Sequence, residues 1–322
     1  MRCASKKAMI VNYERIFMRK LQPTKSLDGN RFVLSYGEEG FPEALMDIPD
    51  PPRKLYGVGD PRVLDTGLAI IGARKATPYG RNVAKKFAKA AACHGITVIS
   101  GGALGCDSAA HVGCLEGGGA TVVVLGGGCD RLYPEANRDL FQEIVNKGGA
   151  VISEQQWQFP PMPYTFRARN RIIAGLARAT LIVEAGLPSG TFSTADDALS
   201  ANREVLVVPG AITSPHSRGA NRLLYQGATP IVDDETFEDV ISDLFGCMKI
   251  QDMRQAEIES TSLLFQALQA ETLSIDALMQ RNDIGAPDGS KRLSWLMVEL
   301  AKLEHEGFIE RFPSGSYGAT VM

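Results

Sequence analysis

Between residues 67 and 232 the chain alternates short β-branched runs with longer stretches of mixed polarity. The runs are 68–72 (LAIIG), 96–100 (ITVIS), 120–125 (ATVVVL), 149–153 (GAVIS), 180–184 (TLIVE), 204–208 (EVLVV) and 229–232 (TPIV). They are continuously apolar rather than alternating, which predicts strands covered on both faces. Between them the pattern predicts helices near 80–93, 106–116, 136–147, 167–177, 191–202 and 219–226. Strand followed by helix, repeated, is the pattern of an α/β doubly wound parallel sheet of Rossmann type. That domain is expected over 66–245.

The flanks read differently. Residues 1–35 show no clear period, and 36–65 hold Pro42, Pro49, Pro51, Pro52 and Pro61. Residues 1–65 are therefore expected to be an N-terminal extension with a proline-rich lead-in wrapped on the next domain. Residues 246–260 are polar and charged, as in a linker. In 261–322 the apolar positions return at helical spacing: Leu263, Leu264, Ala267 and Leu268, then Ile275, Leu278 and Met279 behind Ser274 as cap. Leu293, Leu296, Leu300 and Leu303 mark a third helix, and Gly307 to Gly318 suit a small hairpin. Three helices and a hairpin predict a small C-terminal winged-helix domain.

Composition narrows the function classes. The 322 residues suit about two domains. Lys+Arg is 34 and Asp+Glu 37, a net charge of −3, which excludes a strongly basic polymer coat but leaves room for a local basic patch. No run approaches the roughly 18 apolar residues of a membrane span, and no secretory leader is read. The six cysteines form no CxxC pair and there are four histidines. Free thiols in the cytoplasm, with no metal site, are expected.

Candidate chemistry gathers where the strands end. Gly72-Ala73-Arg74-Lys75, Ser100-Gly101-Gly102, Gly126-Gly127-Gly128 and Ser189-Gly190-Thr191 all follow a strand. Glycine admits close approach of backbone to phosphate, and a helix N-terminus offers free N–H groups; each turn alone is also an ordinary turn. Neither GxGxxG after a strand nor GxxxxGK[ST] is present, so a dinucleotide or a hydrolysed triphosphate is disfavoured and no cofactor is expected. Residues 155–183 lack Asp and Glu but carry Arg167, Arg169, Arg171 and Arg178 among Trp157, Phe159, Tyr164 and Phe166. Cations for phosphates and rings for bases make a single-strand binding track; a solvated helix start whose rings serve the core has the same composition. Arg74 and Arg131 point to the same edge. Asp107 and His111, at i and i+4, read as a structural pair, and no catalytic constellation stands out. Leu223 and Leu224, in a short helix before the last strand, are candidates for a two-fold contact.

These motifs, in order, resemble the DNA-processing protein A (DprA/Smf) family. The matching stretches include Ile70-Ile71-Gly72-Ala73-Arg74, Val98-Ile99-Ser100-Gly101, Gly105-Cys106-Asp107-Ser108-Ala109-Ala110-His111, Tyr133-Pro134, Arg169-Asn170-Arg171-Ile172-Ile173-Ala174-Gly175-Leu176 and Val207-Val208-Pro209-Gly210. The resemblance implies an extended Rossmann fold without enzyme activity. It also implies a single-stranded DNA-binding protein that protects incoming DNA, loads RecA recombinase on it during natural transformation, and forms homodimers. Carried over, the DNA contacts fall on Arg74, the Ser100-Gly101 turn, Asn170 and Arg171. Departures are Ala73 where serine is usual, Gly102 where leucine is usual, Glu135 where some members are basic, and Arg167 where proline is common. Arg171 has an alternative role, as ion-pair partner of Glu184.

Two rivals remain. The same superfamily holds nucleoside-monophosphate phosphoribohydrolases, whose Pro-Gly-Gly-x-Gly-Thr turn is matched only in part by Pro188-Ser189-Gly190-Thr191. A sequence-specific regulator acting through the tail would need a more basic third helix than one in which Glu299, Glu304 and Glu306 offset Lys291, Arg292 and Lys302.

Overall fold

A computed structural model describes residues 26–249, 263–281, 283–284 and 291–320. The expectations for 1–25 and for 250–260 lie outside the described residues. The chain divides into two compact units, Met1–Cys247 and Met248–Met322.

The first unit is built on a nine-stranded sheet. Its strands are β1 (Arg31–Ser35), β2 (Lys54–Gly59), β3 (Gly67–Ile71), β4 (Val98–Ser100), β5 (Thr121–Val124), β6 (Ala150–Ser153), β7 (Ala177–Ile182), β8 (Glu204–Val207) and β9 (Thr229–Pro230). Their order across the sheet is β1-β2-β6-β5-β4-β3-β7-β8-β9. β3 to β9 run parallel, in keeping with the two-sided apolar character of β3 to β7, whereas β1 and β2 pair antiparallel with each other and β2 antiparallel with β6.

β2 differs from the extended wrap expected of 36–65, and β1 falls in the stretch 1–35 that shows no clear period. They continue the sheet. β1 is nowhere fully buried, and β2 is interrupted by Gly57 and Gly59. Gly57 is required by packing: a Cβ there would stand 2.2 Å from the Phe32 ring. Gly59 has φ +122° and faces the Gly149 carbonyl.

Helices cover both faces. They are α1 (Glu43–Met46), α2 (Pro78–Cys93), α3 (Cys106–Glu116), α4 (Arg138–Asn146), α5 (Pro163–Leu176), α6 (Thr191–Ser200), α7 (Arg218–Tyr225) and α8 (Asp234–Phe245). Side chains alternate across a strand, so Ala69 and Ile71 of β3 join α1, α5, α6 and α7, through Leu45, Ile172, Ala195 and Leu223. Leu68 and Ile70 join α2, α3 and α8 on the other face, where Phe87 and Phe237 stack at 4.4 Å. A third cluster packs Phe141 and Ile144 of α4 against Val123 and Val151.

This strand order positions the site. From β3 the chain steps outward through β4, β5 and β6, then returns to place β7 on the opposite flank of β3. The connections after β3 and β7 therefore diverge to opposite faces. A crevice opens between them at the carboxyl ends of the strands.

In the second unit α9 (Leu263–Ala270), α10 (Ile275–Gln280) and α11 (Arg292–His305) precede a hairpin of β10 (Ile309–Arg311) and β11 (Tyr317–Ala319). Leu273 bridges to Tyr317, and Leu264, Leu268, Leu278, Leu296, Leu300 and Leu303 form the core. Ser274 caps α10 by accepting the Ala277 N–H at 3.2 Å. On α11, Lys302 is bonded to Glu299, and Leu293, Met297 and Val298 are exposed.

Candidate nucleic-acid interface

A cleft of about 690 Å³ lies at this switch point. The turn after β3, the start of α3, one face of α5 and the start of α6 line it. Pro163 pre-sets the first turn of α5, and the Thr165 hydroxyl both accepts the Met162 N–H at 3.2 Å and donates to the Met162 carbonyl at 2.8 Å. Helical spacing then brings Pro163, Phe166, Arg167 and Asn170, at i, i+3, i+4 and i+7, to the cleft wall.

The charges there are mostly positive. Arg74, Lys75 and Arg167 are exposed cations lining the cleft. The Arg74 guanidinium stands 5.4 Å from the centre of the Phe166 ring, a cation–π arrangement that holds it over the opening. Asn170 donates to the Ser193 hydroxyl at 3.0 Å and Ser193 to the Gly190 carbonyl at 2.7 Å, which ties α5 to the entrance of α6. There Ser189 donates to Thr191 at 2.8 Å and accepts the Thr191 N–H at 3.2 Å, so both hydroxyls are engaged locally. Gly190 is exposed, with open space where a Cβ would stand.

The cleft floor is a buried ionic layer. Arg169 is 5% exposed and donates to the carbonyls of Gly101, at 2.7 Å, and Val124. Burial pushes its guanidinium down to about 10, against the pull of Asp107, so it stays charged at neutral pH. Burial raises the Asp107 carboxyl, while Arg169 and the Ala103 N–H at 3.3 Å oppose the rise. His111 donates from Nδ1 to Thr121 at 2.7 Å, because the Thr121 hydroxyl is itself committed to the Val98 carbonyl. Burial pushes its imidazole down to about 3. Asp107 and His111 are thus a structural set beneath the cleft.

Several expected contacts are corrected by this geometry. Ser100 is fully buried and donates to the Ile70 carbonyl at 2.6 Å, so its hydroxyl cannot meet a ligand. Gly101 is buried too, with its carbonyl held by Arg169. Arg169 supports the cleft from beneath rather than presenting a free cation. Arg171 is turned away: it chelates Glu154 at 2.6 and 3.1 Å and bonds the Asp50 carboxylate at 3.0 Å and carbonyl at 2.7 Å. Its partner is not Glu184, which accepts the N–H and hydroxyl of Thr77 at the start of α2. Gly126 and Gly127 are covered rather than open to phosphate, since a Cβ would meet Phe166 at 2.9 Å and Pro161 at 3.0 Å. Arg131 is half-buried and lies outside the cleft lining.

Gly72 does line the cleft, and its missing Cβ leaves room for the Cys106 sulfur at 2.6 Å. Leu223 is buried in the core, and Leu224 is half-buried beside it. The sequence reading missed Lys75, Phe192, Ser193 and His216 as lining residues. Lys75 sits inside a turn already singled out; His216 arrives from the loop before α7 with no local signal. Among the described residues no group of three or more His, Cys, Asp or Glu could hold a metal ion, and no helix is long and apolar enough to cross a membrane.

Known proteins resemble this chain in sequence and in fold. The family described as DNA recombination-mediator protein A matches residues 32–244. Protein Smf of Escherichia coli is 30% identical over 332 residues, covering 96% of this chain and 86% of that protein. DNA processing protein DprA of Streptococcus pneumoniae is 33% identical over 207 residues, covering 64% of this chain and 72% of its own. The crystal structure of that protein superposes with a TM-score of 0.59 at 30% identity, covering 69% of this chain and 76% of its own. A structure of DNA processing protein A from Helicobacter pylori, described for its single-stranded DNA binding mode, gives 0.61 at 31% identity, covering 69% of this chain and 99% of that one. With the family match spanning the sheet from β1 to α8 and the Escherichia coli relative spanning both units, the chain belongs to the DprA/Smf family of DNA-processing proteins.

Proposed function

We propose that the cleft binds single-stranded DNA and that the protein acts as a recombination mediator in the uptake of DNA by natural transformation. The observation that carries this reading is the grouping of Arg74, Lys75 and Arg167 with the Phe166 ring in the lining of one cleft, Arg74 lying over that ring. Three exposed cations suit a phosphate backbone, and a ring among them offers a face to an unpaired base. A duplex hides its base faces, so single strands are preferred. The likeness to the Helicobacter pylori structure supports the same reading. This reading takes the protein to bind rather than transform its ligand: of the two carboxylates lining the cleft, Asp107 is buried beside Arg169 and accepts the Ala103 N–H, and Asp196 is exposed at the rim of α6.

Loading of RecA recombinase on the bound strand belongs to this reading and is supported by the family description. So does pairing of two copies through the α7 face, where Tyr225 is 82% exposed beside half-buried Leu224. The cytoplasm suits the free thiols of the described cysteines.

Equilibrium competition between single- and double-stranded DNA of equal length tests the reading. Single strands should win, with affinity falling steeply as salt rises because phosphate neutralisation releases counterions. Arg74→Glu and Arg167→Glu should each weaken binding by about tenfold or more, as loss of a charge-assisted phosphate contact does. Equal affinity for duplex and single strand, or indifference to both substitutions, refutes it.

A further inference from the structure

We propose that Tyr133 is a second base-stacking platform, and that the bound strand leaves the cleft over Phe166 toward the turn that follows β5. The inference rests on the single-strand reading of the cleft and gives that cleft a direction. Tyr133 does not line the cleft, yet its ring meets Phe166 at 5.4 Å between centroids, tilted by 57°. Arg74 meets the same Phe166 at 5.4 Å. Arg74, Phe166 and Tyr133 therefore form a continuous ladder from the cleft mouth outward.

The ladder is supported from beneath. Gly126 leaves its Cβ position to the Phe166 ring, at 2.9 Å. That contact fixes where the Phe166 ring can sit. Tyr133 is nonetheless 40% exposed, which leaves ring surface for a ligand. A ring packed at a tilt against another and still open to water is suited to a base with an unpaired π-face. The nearest exposed charge along the chain is acidic, Glu135 two positions beyond Tyr133, while Arg131 two positions before it is half-buried. Stacking therefore outweighs phosphate neutralisation at Tyr133.

That difference sets the test. Affinity is measured by fluorescence anisotropy for two oligothymidylates, one of about 4 nucleotides that fills the cleft alone and one of about 16 that reaches beyond it. Tyr133→Ala should weaken the long strand by about tenfold, the size of one lost base–aromatic stack, and leave the short one unchanged. The factor should not shrink at higher salt, although both affinities fall. Tyr133→Phe should restore the long strand, since the ring and not the hydroxyl acts.

Arg74→Glu separates the two claims. If it weakens both strands while Tyr133→Ala weakens neither, the exit path is wrong and the cleft reading stands. If it weakens neither strand, the cleft reading itself fails. Equal losses for short and long strands in Tyr133→Ala would make Tyr133 a buttress of Phe166 and overturn the proposal. Should Tyr133→Ala not fold, the unaltered protein decides. Photo-crosslinking with 5-iodouracil placed outside the short segment should label the peptide containing Tyr133, and adducts elsewhere only would overturn it.

Discussion

Arg171→Ala should cost stability and spare DNA affinity, although Arg171 sits in the most arginine-rich stretch of the chain. Its guanidinium is 17% exposed and the Glu154 carboxylate 16%, joined by two bonds of 2.6 and 3.1 Å. Removing one member of a fully buried pair costs about 3–5 kcal/mol, chiefly because the other charge is stranded. Here water reaches about one sixth of each side chain, so the loss is smaller, about 2–3 kcal/mol. Asp50 is 82% exposed and its ionic contact adds little. For a unit of this size 1 kcal/mol moves the melting temperature by about 2–4 °C, so the shift should be roughly 4–12 °C. Single-strand affinity per folded molecule should stay within about twofold, since a lost phosphate contact of 1–3 kcal/mol would show as fivefold or more. Thermal unfolding and anisotropy on the same samples give both quantities. A double-mutant cycle with Glu154→Gln should return a coupling of about 1 kcal/mol or more. An unchanged melting temperature with a large loss of affinity would refute the argument and restore Arg171 to the DNA contacts.

Two further outcomes follow from buried groups. The His111 imidazole, held down to about 3 by burial, takes up its proton only on unfolding once the pH is below about 6.5, so the unfolded chain binds more protons and stability falls as the pH drops from there toward 3. His111→Gln should remove its share of that slope, at most about 1.4 kcal/mol per pH unit, in urea unfolding at pH 5 against pH 7; an unchanged slope would show that the histidine is protonated in the fold. The thiols of Cys106, Cys114 and Cys129 are pushed up to about 12 by burial, whereas Cys93 is exposed, so iodoacetamide in native buffer followed by peptide mapping should find Cys93 modified and those three protected. Modification of any of the three before unfolding would contradict the packing.

The inner parallel strands are legible because both their faces are largely buried, which writes an apolar run into the sequence at β3, β5, β7 and β8. β1 and β2 are not: β1 is a half-exposed edge that needs no such run, and β2, between β1 and β6, has its closest packing made by an absent side chain at Gly57. The same distinction runs through the site. Arg167, Arg169 and Arg171 are alike in composition, but each residue turns the side chain by about 100° along a helix. Arg169 is therefore turned about 200° from Arg167 and reaches the carbonyls of Gly101 and Val124. Arg171 is one turn beyond Arg167 on the same side of the helix, and differs from it because Glu154 and Asp50 capture its guanidinium while Arg167 stays open to the cleft. A count of cations cannot separate a guanidinium aimed at a ligand from one satisfying the protein's own backbone. The glycines divide in the same way: Gly190 is open, while Gly126 is filled by Phe166. What decides each case is the position of β7 beside β3, a pairing between segments far apart in the chain. Were β7 added beyond β6 instead, the turns at Gly72 and Gly190 would stand on different parts of the sheet. Arg74 and Arg167 would then share no ligand. The cleft is thus a property of strand order, and local sequence supplies its parts without stating which of them meet.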